Sequence, residues 1–364
     1  MPDKKETALF HQTVANLQGE HKTPTSPSKS EGHKPESQRL IWLSVMRGLT
    51  ILLVVMFHVQ LIDRSTGENH AIIHTINSYF DAFRMPLFIF SSGGLLYLSR
   101  IKKNWQTPKV YWDKCGRILT PLFFFVTVYY LIKILGSQLV KTPPSLSFSD
   151  FLLSFVFYTG RPSAPLWFLA TLMSLMLLYP LFQRLTKSQW GMHGFLLLTI
   201  ALYFLDLSAY ERYNYFNLLH IHHYLIYFFL GIYFFHFRLY QLLDNRVVLA
   251  VLLILYAIFH SIELPLVSSL LGITMMVSLS QQLARCFPAL CKHWREYIFQ
   301  VYLMGMICQA IVELVLWQRL FYNESLFILF YLLNIAAGLY IPVLIAKQVE
   351  RCPLKFVRLC FGLK

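Results

Sequence analysis

Two ionisable side chains, Arg47 and His58, lie in the first long apolar stretch of the chain, RLIWLSVMRGLTILLVVMFHVQLID. If this stretch is an α-helix, their spacing leaves the two side chains about 20° apart around the axis and about 16 Å apart along it. Both then project from one face, too far apart to share one ligand atom but able to hold the two ends of a long ligand. The alternative is that Arg47 extends to the membrane interface and that His58 is a hydrogen-bonded core histidine.

A third charged group, Arg84, lies in the next apolar stretch, two residues before Pro86. Proline lacks an N–H and its ring clashes with the preceding turn, so we expect a broken or kinked helix here. The small residues at 91–94, Ser-Ser-Gly-Gly, allow close approach of another backbone. Ordinary helix packing explains the glycines equally well, but it does not explain Arg84. The pattern therefore favours a helix that lines a polar cavity.

The composition of the chain places these residues in a membrane. Of 364 residues, 56% are hydrophobic and only 14% are charged, and the mean hydropathy is +0.51. Soluble domains carry about 25% charged residues, so a water-soluble enzyme is disfavoured. The net charge of +14 fits basic cytoplasmic loops better than a nucleic-acid-binding surface. The sequence predicts an all-α polytopic membrane protein that does not bind nucleic acid.

The chain divides into three parts. Residues 1–38 are rich in Pro, Ser, Lys and Glu and are predicted to be a disordered cytoplasmic tail. Residues 39–350 form the predicted transmembrane domain, and residues 351–364 a basic cytoplasmic segment. Each span needs about 20 residues of helix. Ten spans are predicted, near 40–62, 76–99, 116–136, 166–182, 192–208, 220–237, 247–261, 264–283, 298–317 and 325–346, with 150–160 as a re-entrant or interfacial piece.

The distribution of basic residues predicts the orientation. With both termini in the cytoplasm, most of the 32 Lys and Arg residues fall on the cytoplasmic side. The exceptions in outside loops are Arg64, Lys141, Arg161, Arg212 and Arg319. This imbalance follows the positive-inside rule and requires an even number of spans.

Four motifs resemble the membrane-bound acyltransferase 3 family of bacterial carbohydrate O-acyltransferases. Arg47-Gly48 followed by an apolar run and His58 matches the family's first-span signature, and residues 83–93, FRMPLFIFSSG, match its second-span pattern. Residues 165–169, PLWFL, are also similar to the family. Lys114, Arg117 and Pro121 resemble its paired basic residues ahead of span three. The chain departs from the family at Ser44, where many relatives are acidic, and at residues 302–305, YLMG, where many have Tyr and His.

The resemblance implies an acyl-CoA donor, expected to be acetyl-CoA, and transfer of the acyl group to a hydroxyl of a cell-surface or exported carbohydrate. It also implies a bacterial cytoplasmic (inner) membrane location, with a polysaccharide or a lipid-linked sugar as the acceptor. Removing the hydroxyl proton requires a base, and imidazole has a suitable pKa. His58 and Arg47 are therefore the predicted catalytic residues, with His58 as the base.

The remaining candidates are assigned by position. Arg84, Lys114 and Arg117 are predicted to bind the donor, whose phosphates need fixed positive charge, although Arg84 lies deep enough in its span to act on the thioester instead. Asp81 and Trp167 are predicted acceptor-binding residues, while Ser91, Ser92 and Glu313 are predicted to supply oxyanion donors or to line the cavity. Adjacent histidines at 222 and 223 point in different directions on a helix, so no metal site is expected.

Two other classes of function remain possible. In a transporter or flippase of a glycan or small anionic solute, the same buried charges would form a substrate pathway or proton relay. Such proteins often have broken helices at corresponding places in two halves, and only one break, near Pro86, is predicted. A membrane subunit that merely anchors partners would leave Arg47 and His58 unexplained. The sequence does not fix the oligomeric state.

Overall fold

The computed structural model describes residues 36–63, 66–137 and 147–363, with side chains from residue 41 onward. Apart from one isolated β-bridge between Ile62 and Asn69, every regular element in these ranges is helical. Most of the predicted tail, and also Arg64 and Lys141, lie outside the described residues. The helices are α1 (Glu36–Phe57), α2 (Ala71–Leu96), α3 (Thr107–Leu135), α4 (Phe148–Leu153), α5 (Trp167–Leu177), α6 (Tyr179–Leu185), α7 (Gln189–Tyr203), α8 (Ile221–His236), α9 (Arg246–Ser261), α10 (Pro265–Cys286), α11 (Ile298–Leu320), α12 (Phe327–Glu350) and α13 (Lys355–Cys360).

A helix, or the bent pair α5 and α6, stands at each of the ten predicted positions. Five helices among the described residues are long and apolar enough to cross a membrane. They are α3, α10, α11, α8 together with the turns before it (215–236), and α12 together with the turn before it (324–350). The pair α5 and α6, bent by 52°, makes a sixth if it forms one span. The chain is therefore a polytopic helical protein, and the number ten stays a prediction. Residues 150–160 contain only the end of α4 and turns, so they are too short to span.

Several helices expose apolar side chains on one face. On α9, Val247, Val251, Ile254 and Ile258 recur at helical spacing and are each 47–68% exposed. On α12, Ile328, Leu329 and Leu332 are similarly exposed. Apolar surface of this extent is unfavourable in water and matches a hydrocarbon environment.

Helices α2 and α8 run side by side in the same direction. Arg84 lies near Tyr224, and the rings of Tyr97 and His236 meet at 5.6 Å at the other end. Between these points the backbones are in close contact, because a Cβ on Gly93 would collide with the carbonyl oxygen of Phe228. Small residues permit such an approach between membrane helices. The contact fixes the register that brings Arg84 beside the start of α8.

Replacing Gly93 with alanine is expected to destabilise the bundle by about 1–3 kcal/mol, because an added methyl group must displace backbone rather than a flexible side chain. Thermal unfolding of the purified protein in detergent measures the effect. Gly194→Ala on α7 is the matched control, since a Cβ there meets nothing within 4 Å. It should leave stability unchanged or raise it slightly through helix propensity. Equal melting temperatures for the two variants would contradict the proposed close contact.

We expected α2 to be broken or kinked at Pro86, and the break is wrong, because α2 is helical without interruption from Ala71 to Leu96. Proline removes the hydrogen bond that the carbonyl oxygen of Ala82 would normally accept, four residues earlier. The hydroxyl of Ser269 on α10 donates to this oxygen instead, at 2.6 Å. Neighbouring serines commonly satisfy such freed groups in membrane helices.

Helix α1 lies against α2, α10, α11 and α12. In its first half, Trp42 stacks on Phe235, at the same end of the bundle as Tyr97 and His236, and this end is called the Lys114 end. The opposite end, where α1 stops and α2 and α8 begin, is called the His58 end. The C-terminal segment also lies at the Lys114 end, where the carbonyl oxygen of Phe361 accepts a hydrogen bond from Gln300 at 2.9 Å.

Candidate active site

His58 lies just beyond the last turn of α1. The helix ends at Phe57, and the His58 amide makes a tighter turn by donating to the carbonyl oxygen of Val55 at 3.1 Å. The prediction of one continuous helix through His58 is therefore wrong by a residue, and helical spacing alone does not set the direction of the imidazole. His58 is half-buried.

The segment that follows His58 is held from two sides. The side-chain amide of Asn69 donates to the carbonyl oxygen of Val59 at 3.1 Å, and the indole of Trp317 on α11 donates to that of Ile62 at 2.9 Å. On α2, Asn77 donates to the carbonyl oxygen of Phe57 at 3.3 Å. These bonds fix the backbone on both sides of the imidazole.

Arg84 interacts electrostatically with His58. It is only 6% exposed, forms an ion pair with Asp81 at 3.0 Å, and lies over the ring of Phe57 at 3.3 Å from the centroid. Its Nη1 atom is buried without a hydrogen-bond partner. A buried donor of this kind is costly, and it is therefore available to a ligand or a reacting oxygen.

Arg84 and the two other predicted donor-binding residues lie at different ends of the bundle. Arg84 lies at the middle of α2, beside Phe57 at the end of α1 and near Tyr224 at the start of α8. Arg100, next to Lys114 and Arg117, lies sixteen residues later, about 24 Å away along a helix. The structure therefore does not bring the three predicted donor-binding residues together. The interpretation of Arg84 as a group acting near the thioester agrees better with its surroundings.

Tyr224 and Trp167 complete the surroundings of Arg84. Tyr224, near the start of α8, interacts electrostatically with both Arg84 and Asp81, and its ring lies 5.3 Å from that of Trp167. Asp81 is 63% exposed even though it pairs with Arg84. No motif singled out Tyr224, because its position beside Arg84 depends on the packing of α2 against α8.

Ser91 and Ser92 are less suited to donate to an oxyanion than predicted. Both hydroxyls donate to the carbonyl oxygen of Phe88, one turn earlier, at 2.9 Å. This local bond is the usual one for serine inside a helix. The structure thus leaves Arg84 as the donor with unused capacity in this part of α2.

A second polar cluster lies at the Lys114 end. Asp113 pairs with Arg100 at 2.9 Å and with Arg117 at 3.0 Å. Lys114 interacts electrostatically with these three groups and also with Arg47 of α1. Three basic groups therefore surround the Asp113 carboxylate, and Arg47 lies near Lys114, which leaves an excess of positive charge. Arg100 was not singled out in the sequence, where it looked like an ordinary loop residue.

The helix carrying these residues starts earlier than predicted. We expected Lys114 and Arg117 at the start of a span beginning at 116, but α3 begins at Thr107 with Pro108 in its first turn. Residues Cys115–Leu119 form a π-helical turn, and another, Tyr97–Ile101, carries Arg100. Such turns often occur at functional sites, because they re-aim side chains.

Glu313 lies in a third π-helical stretch, Val312–Leu320 of α11. It is only 8% exposed and has no ion pair or hydrogen bond within the described part of the chain. One turn before it, Gln309 donates to the carbonyl oxygen of Val55 at 2.9 Å, and one turn after it Trp317 contacts Ile62. Glu313 therefore lies between two residues of α11 that hydrogen-bond to the backbone on either side of His58.

The histidines at the start of α8 point in three directions. His220 pairs with Glu211 at 3.3 Å, His222 contacts the carbonyl oxygen of Leu219, and His223 stacks on Tyr203 at 4.3 Å between ring centroids. Within the residues that the structure describes, no three His, Cys, Asp or Glu side chains are placed to hold a metal ion.

Fold and site together define a multi-pass membrane protein with ionisable groups buried in its bundle. The family model described as an acyltransferase domain, that of the acyltransferase 3 family, matches residues 40–347. This range contains both polar clusters, and the chain belongs to this family. No curated protein and no solved structure matches the chain.

Proposed function

We propose that the protein is a membrane O-acyltransferase that moves an acetyl group from acetyl-CoA to a hydroxyl of a cell-surface or exported carbohydrate. Membership of the family supports acyltransferase activity in general. The observation that carries the finer proposal is the separation of two polar clusters along α1, one beside Arg47 in the middle of the helix and the other beside Phe57 at its end. One is strongly basic, and the other combines an imidazole with a buried guanidinium.

The basic cluster suits the phosphates of coenzyme A. Arg100 and Arg117 present guanidinium groups that can bind phosphate through two hydrogen bonds, and Lys114 adds a point charge. Arg47 adjoins Lys114 and begins the face of α1 that leads toward His58. From Arg47 to Phe57 the helix rises by about 15 Å, which the extended pantetheine arm of the donor would follow.

The reaction would take place at the His58 end. His58 accepts the proton of the sugar hydroxyl as its oxygen attacks the thioester carbon. The carbonyl oxygen becomes an oxyanion, to which Nη1 of Arg84 donates a hydrogen bond. When the tetrahedral intermediate collapses, the carbon–sulfur bond breaks and the imidazolium returns its proton to the thiolate of coenzyme A. The products are an ester and the free thiol.

The same proposal includes a topology. Ten spans in the bacterial cytoplasmic membrane, with both termini in the cytoplasm, place the basic cluster where acetyl-CoA is made. The His58 end then faces outward, toward exported polysaccharide or lipid-linked sugar. The excess of Lys and Arg in the segments assigned to the cytoplasm supports this orientation.

The proposal is tested with the purified full-length chain in lipid vesicles, supplied with acetyl-CoA and glycans extracted from the surface of the producing cells. We expect release of the coenzyme A thiol that depends on added glycan, and ester-linked acetyl groups on the glycan by mass spectrometry. Glycans from cells without the protein should lack these esters. Glycan movement across the vesicle membrane without thiol release would instead identify a transporter.

Replacing Lys114 with glutamine should raise the KM for acetyl-CoA about tenfold and leave kcat nearly unchanged. A hydrogen bond to a charged group contributes about 1.5–3 kcal/mol, and about 1.4 kcal/mol corresponds to a factor of ten. Lys103→Gln is the matched control, since Lys103 is an exposed lysine at the same end. The effect of Lys114→Gln should shrink with acetyl-dephospho-CoA if the lysine binds the 3′-phosphate. A fall in kcat at unchanged KM would contradict a donor-binding role.

A further inference from the structure

A cavity of about 310 Å³ opens at the His58 end, between the loop that precedes α8 and the start of that helix. The polar or aromatic residues around it that matter here are Asp206, Glu211, His220, His222, His223 and Tyr224. Only Tyr224 belongs to the surroundings of Arg84 described above. The other residues have no part in the proposed proton transfer or in donor binding.

The carboxylate of Glu211 is held in place by a network of side chains. One of its oxygens accepts a hydrogen bond from Asn214 at 2.9 Å, and the other pairs with His220 at 3.3 Å. Asn214 donates onward to Asn217 at 3.2 Å, which donates to Thr171 of α5 at 2.6 Å. Both asparagines are buried. The network ties the wall of the cavity to the helix that begins with Trp167.

Asp206 provides a second fixed carboxylate. The amide of Ser208 donates to it at 2.9 Å, and this bond lowers the pKa of the Asp206 carboxyl. Asp206 is therefore ionised at neutral pH. None of the residues that line the cavity is Lys or Arg, and the nearby Arg212 lies over the ring of Tyr213.

This set of groups matches an uncharged sugar. Carboxylates accept hydrogen bonds from hydroxyl groups, and neutral imidazoles can donate or accept. Two carboxylates repel a further negative charge at close range, so uronic acids and phosphorylated sugars fit poorly. Because Tyr224 borders both the cavity and Arg84, a sugar bound here would lie beside the groups assigned to catalysis.

We propose that this cavity is the acceptor subsite and that it binds an electrically neutral sugar residue of the glycan. The assignment of the bound sugar as acyl acceptor rests on the function proposed above, whereas the binding of neutral sugar does not.

Saturation-transfer NMR on the full-length protein in detergent, without acetyl-CoA, tests the binding. The probes are lactose and N,N′-diacetylchitobiose as neutral sugars and digalacturonate as an acidic one. We expect signals from at least one neutral probe, little or none from digalacturonate, and a loss of affinity of tenfold or more in Glu211→Gln. Glu263→Gln, which changes an exposed carboxylate in the turn between α9 and α10, should bind like the unaltered protein.

Several results would overturn the proposal: no binding of either neutral probe, equal binding of digalacturonate, or unchanged binding in Glu211→Gln. In the transfer assay, Glu211→Gln should raise the KM for glycan and leave the KM for acetyl-CoA unchanged. If transfer proceeds with an unchanged KM for glycan, the subsite assignment fails and the proposed function stands. If neutral sugar binds through Glu211 but no acetyl group is transferred, the sugar site stands and the proposed function fails.

Discussion

His58→Ala is expected to lower kcat for acetyl transfer by a factor of about 10²–10⁴, the usual contribution of a positioned general base. The sugar hydroxyl is then left without a group that removes its proton during attack. The KM for acetyl-CoA should change little, because the basic groups at the Lys114 end are untouched. Steady-state kinetics of thiol release, with mass detection of the glycan ester, measure both quantities.

His74→Ala is the matched control for this prediction. His74 is an exposed histidine in the first turns of α2, at the same end of the bundle, and its removal should leave the rate unchanged. His58→Gln guards against a purely structural effect, because it keeps a polar side chain at the position but has no basic nitrogen. Full activity in His58→Ala, or activity restored by His58→Gln, would remove His58 from the role of base.

The helical architecture could be predicted because a membrane span needs about 20 mostly apolar residues in a row, and such stretches are visible in the composition of the chain. Helices stand at every predicted span, and residues 150–160 are too short to cross. The error at Pro86 arises because the missing hydrogen bond is replaced from α10, where Ser269 donates to the freed carbonyl oxygen of Ala82. A partner nearly 190 residues later in the chain cannot be foreseen from the local propensity of α2.

Contacts in the candidate site could be predicted where both residues lie within one turn of the same helix. The pairing of Arg84 with Asp81 follows from a spacing of three residues on a helix. By contrast, the surroundings of Tyr224 depend on the contact between α2 and α8, and those of Arg100 on the π-helical turns that follow α2 and interrupt α3. These features arise from tertiary packing. Residue types alone grouped Arg84 with Lys114 and Arg117, and the structure separates it from both. The extra charge at Arg100 was overlooked for the same reason.

Arg84→Met is expected to lower kcat by a factor of about 10²–10³, the range found when one donor to a developing oxyanion is removed. The buried guanidinium has an Nη1 atom without a partner, and its charge would stabilise the tetrahedral intermediate more than the neutral thioester. A group that acts in this way lowers kcat when it is lost and leaves KM nearly unchanged. Methionine retains much of the side-chain volume over the ring of Phe57.

Two further variants distinguish the effect of the Arg84 charge from that of its hydrogen-bonding geometry and of its ion pair. Arg84→Lys keeps the charge but has no fork of two donors, so we expect an activity between those of the methionine variant and the unaltered protein. Asp81→Asn removes the ion pair and keeps the guanidinium, and its kcat should fall less than that of Arg84→Met. Melting temperatures measured in parallel show whether a loss reflects unfolding. A higher KM for acetyl-CoA at unchanged kcat in Arg84→Met would make Arg84 a donor-binding residue, as its charge alone had indicated in the sequence.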